Sequence, residues 1–260
     1  AFLLNRSSDL AVVGVAGTTE TGTVDPLEAM ADICEREQIH FHVDAAWGGP
    51  TLLSDTYRHL LTGIERADSA TIDGHKQFYM PMSCGMVYFK NPTHMDAAAY
   101  HARYINRPGS VDLGIRSLTG SRAAASLVLG SALDIMGARG YALLIDHGIE
   151  LARAFADEIV KRPLFQLVTP PRLNILTYRL LPEGSETDTE AANRINKTIQ
   201  RLQREAGRSF VSRTTLSLPE TGDTVVFRVV LMNPFTTIGI LREILDEQET
   251  LYRREIAGRP

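Results

Sequence analysis

Two short apolar runs joined by a helix-forming stretch limit what this chain can fold into. Leu10 to Ala16 (Leu-Ala-Val-Val-Gly-Val-Ala) is apolar throughout and stops at Gly17-Thr18-Thr19. Ile39 to Asp44 is the second run. A run that does not alternate suits a strand covered on both faces, as in a parallel sheet. Between the two, Asp25-Pro26-Leu27-Glu28 reads as a helix start, with Asp25 as N-cap, Pro26 at the first helical position and Glu28 completing the cap. Leu27, Met30 and Cys34 then repeat at helical spacing. Strand, helix and strand make a parallel crossover unit, so the fold class is α/β. Such a strand takes neighbours on both sides, and little chain precedes it. The chain is therefore expected to be the C-terminal part of a longer protein.

The pattern predicts a helix at about Leu52 to Gly63 and strands at Ser69 to Ile72 and Cys84 to Phe89. Two helices follow, at about Ser121 to Met136 and Tyr141 to Lys161, the second ended by Pro163. From Phe165 the pattern changes to α+β. Strands are expected at Phe165 to Val168, Asn174 to Arg179, Ser209 to Leu216 and Val225 to Leu231, with helices at about Thr189 to Glu205 and Ile238 to Glu249. The expected division is a large domain over residues 1–120, connecting helices over 121–162 and a small α+β domain over 163–260. Asn91 to Leu118 is a long irregular stretch of the kind that often carries function.

Composition excludes several classes. Lys plus Arg number 27 against 31 Asp plus Glu, a net charge of −4, which gives no basic surplus for nucleic acid. No apolar run looks long enough to span a bilayer, and no signal sequence is expected from the opening residues. Cys34 and Cys84 are too few and too far apart for a disulfide framework or a zinc site, which points to a reducing cytoplasm.

Asp44 falls at the C-terminal end of a parallel strand, where open α/β sheets bind ligands. His75 and Lys76 follow the next strand and reach the same rim. A lone lysine is usually a solvated charge, and an Asp at a strand end is often only a turn former. The context changes both readings. Gly74 permits a sharp turn before His75-Lys76, and Ala45-Ala46 leave space for a flat ligand beside Asp44. A lysine can hold an aldehyde covalently through its amine, and a carboxylate can keep a pyridine nitrogen protonated. Those are the two groups that pyridoxal phosphate chemistry requires. A rival reading uses the alternation of His40, His42 and Asp44 as an open metal site. It ranks lower because His40 sits deep in the strand, and no metal is expected. Gly17-Thr18-Thr19 reaches the same rim. Arg228 interrupts the apolar run Val225 to Leu231, either as half of a structural ion pair or as a grip for a carboxylate.

Together these residues resemble the group II pyridoxal-phosphate amino-acid decarboxylases, the family of glutamate and aromatic amino-acid decarboxylases. The stretches that carry the likeness are Gly17-Thr18-Thr19, Asp25-Pro26, His42 to Gly49 (His-Val-Asp-Ala-Ala-Trp-Gly-Gly), Gly63 to Ser69, His75-Lys76, Cys84-Gly85, Gly120-Ser121-Arg122 and Phe227-Arg228. Asp44 and Lys76 lie 32 residues apart, a spacing that looks right for the family. Asp112-Leu113-Gly114, Gly140 to Asp146 and Leu173 to Arg179 look most like the bacterial aspartate 1-decarboxylase branch.

The resemblance implies a fold of the aspartate aminotransferase type (fold type I), with a large domain incomplete at its N-terminus and a small C-terminal domain. It implies pyridoxal 5'-phosphate as cofactor, an acidic amino acid as substrate and a homodimer in the cytoplasm. By position, Lys76 would carry the cofactor, Asp44 would pair with its ring nitrogen and Ala46 would pack on a ring face. His75, counted also with Lys76 among the catalytic residues, and Thr19 would help hold the phosphate or its surroundings. Asp73 is counted among the cofactor-binding positions near the phosphate, where relatives often carry Asn or Ser, and the acidic group there is a departure from that pattern. Arg228 would bind a substrate carboxylate. Of the loop tyrosines Tyr100 and Tyr104, Tyr104 is preferred as the catalytic acid. The implied reaction is α-decarboxylation of aspartate to β-alanine. The alternatives are glutamate to γ-aminobutyrate, or an inactive fragment acting as a dimerisation unit. Family members carry further cofactor-binding residues N-terminal to this region, so the chain alone is expected to be inactive.

Overall fold

A computed structural model describes residues 11–100, 109, 113–116, 123–182, 184 and 188–258. Strands β1 (Ala11–Val15), β2 (His40–Asp44), β3 (Ser69–Asp73) and β4 (Gly85–Phe89) form one sheet in that order. The first three run parallel and β4 is antiparallel. Val15 lies beside Asp44, and Asp44 beside Thr71, so three strand ends share one rim. Helix α1 (Leu27–Glu37) covers one face of this sheet. Gly14 makes that packing possible, because a Cβ there would sit 2.8 Å from the Leu27 side chain.

The start of α1 differs from expectation. Pro26 occupies the cap position and no side chain caps the helix. Asp25 instead accepts the backbone N–H of Val15 at 2.8 Å and fastens the end of β1. A single carboxylate oxygen serves the sheet in preference to the helix. The helix expected over Leu52 to Gly63 is also replaced. Short 3-10 turns occupy Gly49–Leu53, Arg58–Leu61 and Ile64–Arg66. The Ser54 hydroxyl accepts the N–H of Tyr57 and donates to the Asp146 carboxylate, a local arrangement that competes with a helical ladder. Gly63 then adopts φ +100°, which closes the segment.

Helix α2 (Ala125–Val160) breaks at Gly137, with φ 63° and ψ 171°, so the two helical patterns read from the sequence meet end to end. Taken across that break, the 36 residues of α2 are long and apolar enough to cross a membrane by length and composition alone, which the sequence reading of two separate helices did not show. Asp134, Arg139 and Asp146 interrupt its apolar residues, so no continuous run announces it. Tyr141, Ile145 and Ile149 pack into the core beneath the first sheet, and Phe155 and Ile159 into a second core.

That second core lies under an antiparallel sheet of order β5-β6-β8-β7, formed by β5 (Phe165–Thr169), β6 (Ile175–Leu180), β7 (Ser212–Leu218) and β8 (Gly222–Val230). Helices α3 (Thr189–Ala206) and α4 (Ile238–Tyr252) contribute Ile199, Leu241 and Leu245 to it. Tyr178 sits at its centre, with ring centroids 5.2 Å from Phe227 and 5.7 Å from Phe155. The second sheet meets the first at the functional rim. Gly22 leaves room for Ile175, since a Cβ on it would lie 2.7 Å from that side chain. The Tyr79 hydroxyl donates to the carbonyl of Met232 at 2.6 Å.

Candidate active site

The rim is built by two sharp turns. After β2 the Ala45 N–H donates to Thr71 O at 2.9 Å, which carries the sheet pattern one residue past Asp44. Gly48 then passes so close to Ala16 that a Cβ would fall 2.5 Å from its carbonyl oxygen. After β3, Gly74 turns against Cys84, where a Cβ would meet the sulfur at 2.5 Å. Lys76 emerges from that turn.

Asp44, Ala46 and Lys76 line one cavity of about 210 Å³ together with Thr19, Trp47 and Arg228. Five residues chosen from sequence are thus brought together: Thr19, Asp44, Ala46, Lys76 and Arg228. Asp44 Oδ1 accepts the N–H of Ala46 at 3.1 Å, and Oδ2 makes no hydrogen bond among the described residues. Lys76 Nζ lies 2.8 Å from Asp73 Oδ2. The acidic residue at position 73 is therefore the counter-charge of the lysine. Its role was not legible in advance, although its spacing from Lys76 allows the pair.

His75 does not line the cavity. Its Nδ1 donates to the carbonyl of Cys84 at 2.8 Å, and its Nε2 lies 3.8 Å from Asp73 Oδ2. Tyr104 and Gly120-Ser121-Arg122 lie outside the described residues. Arg228 makes no ion pair among the described residues. Its Nε donates to the carbonyl of Thr19 at 2.6 Å. Burial lowers its pKa from the usual arginine value, opposed by the charge of Glu20. A half-buried guanidinium with one bond to a neutral carbonyl keeps most of its donors for another acceptor.

His40 and His42 do share a face, but both contact the Ser69 hydroxyl, at 2.9 and 2.8 Å, and His42 also meets Thr71 at 3.2 Å. No group of three or more His, Cys, Asp or Glu arranged for a metal occurs among the described residues. Burial lowers the His42 pKa below 6.5, with Asp44 acting against the shift and His40 adding to it.

Larger hollows exist elsewhere. One of about 340 Å³ is lined by Glu35, His40, Arg66, Asp68 and Lys90. It lies at the opposite end of β2 and β3 from the rim, away from the strand ends where open α/β sheets bind ligands. The smaller cavity has the chemistry: an amine, a carboxylate with a free oxygen, a small-residue floor and a guanidinium. That donor set fits pyridoxal phosphate together with an amino acid. Sequence reasoning missed Gln77 and Asn174, two buried amides behind this cavity. A polar residue directly after Lys76 was the one available signal.

Comparison with known proteins agrees with this geometry. Residues 6–181 match the model of the pyridoxal-dependent decarboxylase conserved domain. The chain is 51% identical to an aspartate 1-decarboxylase of Aliivibrio fischeri, over 96% of this chain and 47% of that protein. It is 30% identical to an L-2,4-diaminobutyrate decarboxylase of Acinetobacter baumannii, over 92% of this chain and 48% of that protein. A crystal structure of mouse CSAD in apo form superposes with a TM-score of 0.83 at 28% identity, over 93% of this chain and 52% of that one. The chain thus spans about half the length of the curated relatives it matches. With the family model covering residues 6–181 and the lysine, carboxylate and guanidinium in one cavity, the chain belongs to the pyridoxal-dependent decarboxylase family, built on fold type I with pyridoxal phosphate as its cofactor.

Proposed function

We propose that the protein removes the α-carboxylate of aspartate, releasing carbon dioxide and β-alanine. The observation that carries this reading is the shared cavity of Asp44, Lys76 and Arg228. The 51% identity to an aspartate 1-decarboxylase favours aspartate among acidic substrates.

Lys76 and Asp44 would hold the cofactor, Lys76 through its amine and Asp44 through a charge-assisted hydrogen bond to the ring nitrogen. When bound, the cofactor supplies a sink for the electron pair left as carbon dioxide departs. The chain's own groups do the rest. Asp73, 2.8 Å from Nζ, fixes the position of the Lys76 side chain as its ion-pair partner. Ala46 gives a flat ring a surface without a projecting side chain. Arg228 has free donors for a substrate carboxylate, and an Arg fork holds a carboxylate by two parallel hydrogen bonds. The Thr19 carbonyl fixes the angle of that guanidinium. Tyr104 is proposed as the acid that returns a proton to Cα, with His75 supporting the Asp73–Lys76 turn.

We also infer a homodimer in the cytoplasm, divided into residues 1–120, 121–162 and 163–260 as read from the sequence. Exposed apolar side chains on α2, including Leu127 at 69% and Ile135 at 83%, favour a covered surface there. Both cysteines are free and buried, which suits a reducing compartment.

The test is carbon dioxide release by the intact protein with pyridoxal phosphate, offered aspartate, glutamate, cysteine sulfinate and tyrosine in parallel. Preference for aspartate, lost in Lys76→Ala, is expected. Release from glutamate alone would keep the reaction and replace the substrate. No release from any of them would overturn the reading.

A further inference from the structure

Behind the cavity three side chains close a ring of hydrogen bonds. The Trp47 indole N–H donates to Asn174 Oδ1 at 2.9 Å. Asn174 Nδ2 reaches Gln77 Oε1 at 3.4 Å and donates to Leu231 O at 3.1 Å. Gln77 Nε2 donates to the backbone carbonyl of Trp47 at 2.8 Å. The Leu231 N–H returns to the Asn174 carbonyl at 2.9 Å. Gln77 and Asn174 are each only 2% exposed.

Each member lines the cavity or lies within three residues of one that does. Gln77 follows Lys76, Trp47 follows Ala46, Asn174 precedes Ile175, and Leu231 lies three residues beyond Arg228. The ring therefore joins the lysine turn, the floor and the strand that carries the guanidinium, which come from both sheets. A buried amide is costly unless satisfied, and these two have partners on both their oxygen and nitrogen atoms. An apolar plug would fill the same space without fixing direction. Hydrogen bonds fix both distance and angle, so this junction sets register as well as contact.

We propose that Gln77 and Asn174 are positioning residues for the decarboxylation reaction. They hold Lys76 and Arg228 at a fixed separation across the joint between the two sheets. Gln77 acts through Lys76 and Asn174 through the strand of Arg228; neither touches substrate. This rests on the roles proposed above for Lys76 and Arg228.

The experiment uses the intact protein loaded with pyridoxal phosphate and offered aspartate. Gln77→Met keeps the length of the side chain and removes its hydrogen bonds. Three quantities are read: the pH midpoint of the absorption band of the lysine-linked cofactor, kcat with KM, and the thermal midpoint. Gln77→Met is expected to keep the band, move its pH midpoint and lower kcat roughly 10- to 100-fold, as a displacement of about 1 Å would. The double variant Gln77→Met/Asn174→Leu should lose no more than the worse single variant, because both cut one ring. Gln248→Leu is the control: it breaks a buried amide contact to Tyr178 in the second core. It should lower the thermal midpoint and leave kcat and the pH midpoint in place. If Gln77→Met does not fold, Asn174→Leu cuts the same ring from the other sheet without changing a cavity-lining side chain and should move the pH midpoint in the same direction. An unmoved midpoint and kcat, or losses that follow melting as in Gln248→Leu, would overturn the proposal. Failure of the underlying roles would show separately, as a band that survives Lys76→Ala.

Discussion

β1 is apolar throughout and β6 carries Thr177 and Arg179, yet the mixed strand is the more deeply buried of the two. All six residues of β6 are buried, whereas Val13 in β1 is 54% exposed. Tyr178 and Leu180 of β6 face the helical core, while Ile175 packs on the rim loop at Gly22. β1 packs α1 at Gly14, and Val13 lies on its other side. An apolar run states that a strand suits a covered position; the layers around it decide whether the cover is there. The polar groups differ in the same way. Around the second sheet most of them are paired within the fold, as Asn196 of α3 is with both the N–H and the carbonyl of Leu180, although Arg179 Nη1 is buried without a hydrogen-bond partner among the described residues. At the rim, Asp44 Oδ2 and most Arg228 donors have no partner among the described residues. The interiors of both sheets use polar groups to hold the fold, and the rim, which takes Asp44 from the first sheet and Arg228 from the second, presents them to a ligand.

Substitutions can break that contrast. Phe227→Ala removes a fully buried ring from the second core and should cost about 3–5 kcal/mol in urea unfolding of the intact protein. A cost below about 1 kcal/mol would mean the second core does not carry the load assigned to it. Asp44→Asn should act in the opposite sense. It is expected to lower kcat by roughly 10²–10³, as loss of one preorganised electrostatic partner does, with little change in thermal midpoint. Parallel loss of both would make Asp44 a structural residue.

The pH response sharpens the comparison. Burial holds His42 below its ordinary 6.5. Between that value and the lower one in the fold, the unfolded chain carries the extra proton, so stability rises with pH through this window and falls as acid is added. The thermal midpoint should be higher at about pH 8 than at about pH 5.5, and His42→Gln should shrink the difference. An undiminished difference would assign the acid sensitivity to another group. The smallest effect is expected at Val13→Ala, within about 0.5–1 kcal/mol, because the side chain is already half in water.

Much of this was legible from local pattern. Strand limits fell close to expectation where an apolar run met a glycine or a polar break, as at Ala16-Gly17 and Asp44. Helix α3 began at Thr189 as read, because Asp188 caps it through the Ala191 N–H. The failures share a cause. Asp25 and the helical stretch around Ser54 were read by local rules, and each side chain bonds a partner the local pattern does not contain: Asp25 accepts from Val15 and the Ser54 hydroxyl donates to Asp146. The contents of the cavity were legible because strand ends collect ligands and the residue types were distinctive. The ring of Trp47, Gln77 and Asn174 was not, because its members lie 97 and 127 residues apart and amides carry no periodic signal.

The most direct test loads the intact protein with pyridoxal phosphate, fixes the linkage with borohydride and maps the modified lysine by mass spectrometry. The label is expected on Lys76. A label on Lys90, Lys161 or Lys197, with Lys76 unmodified, would contradict the site described here.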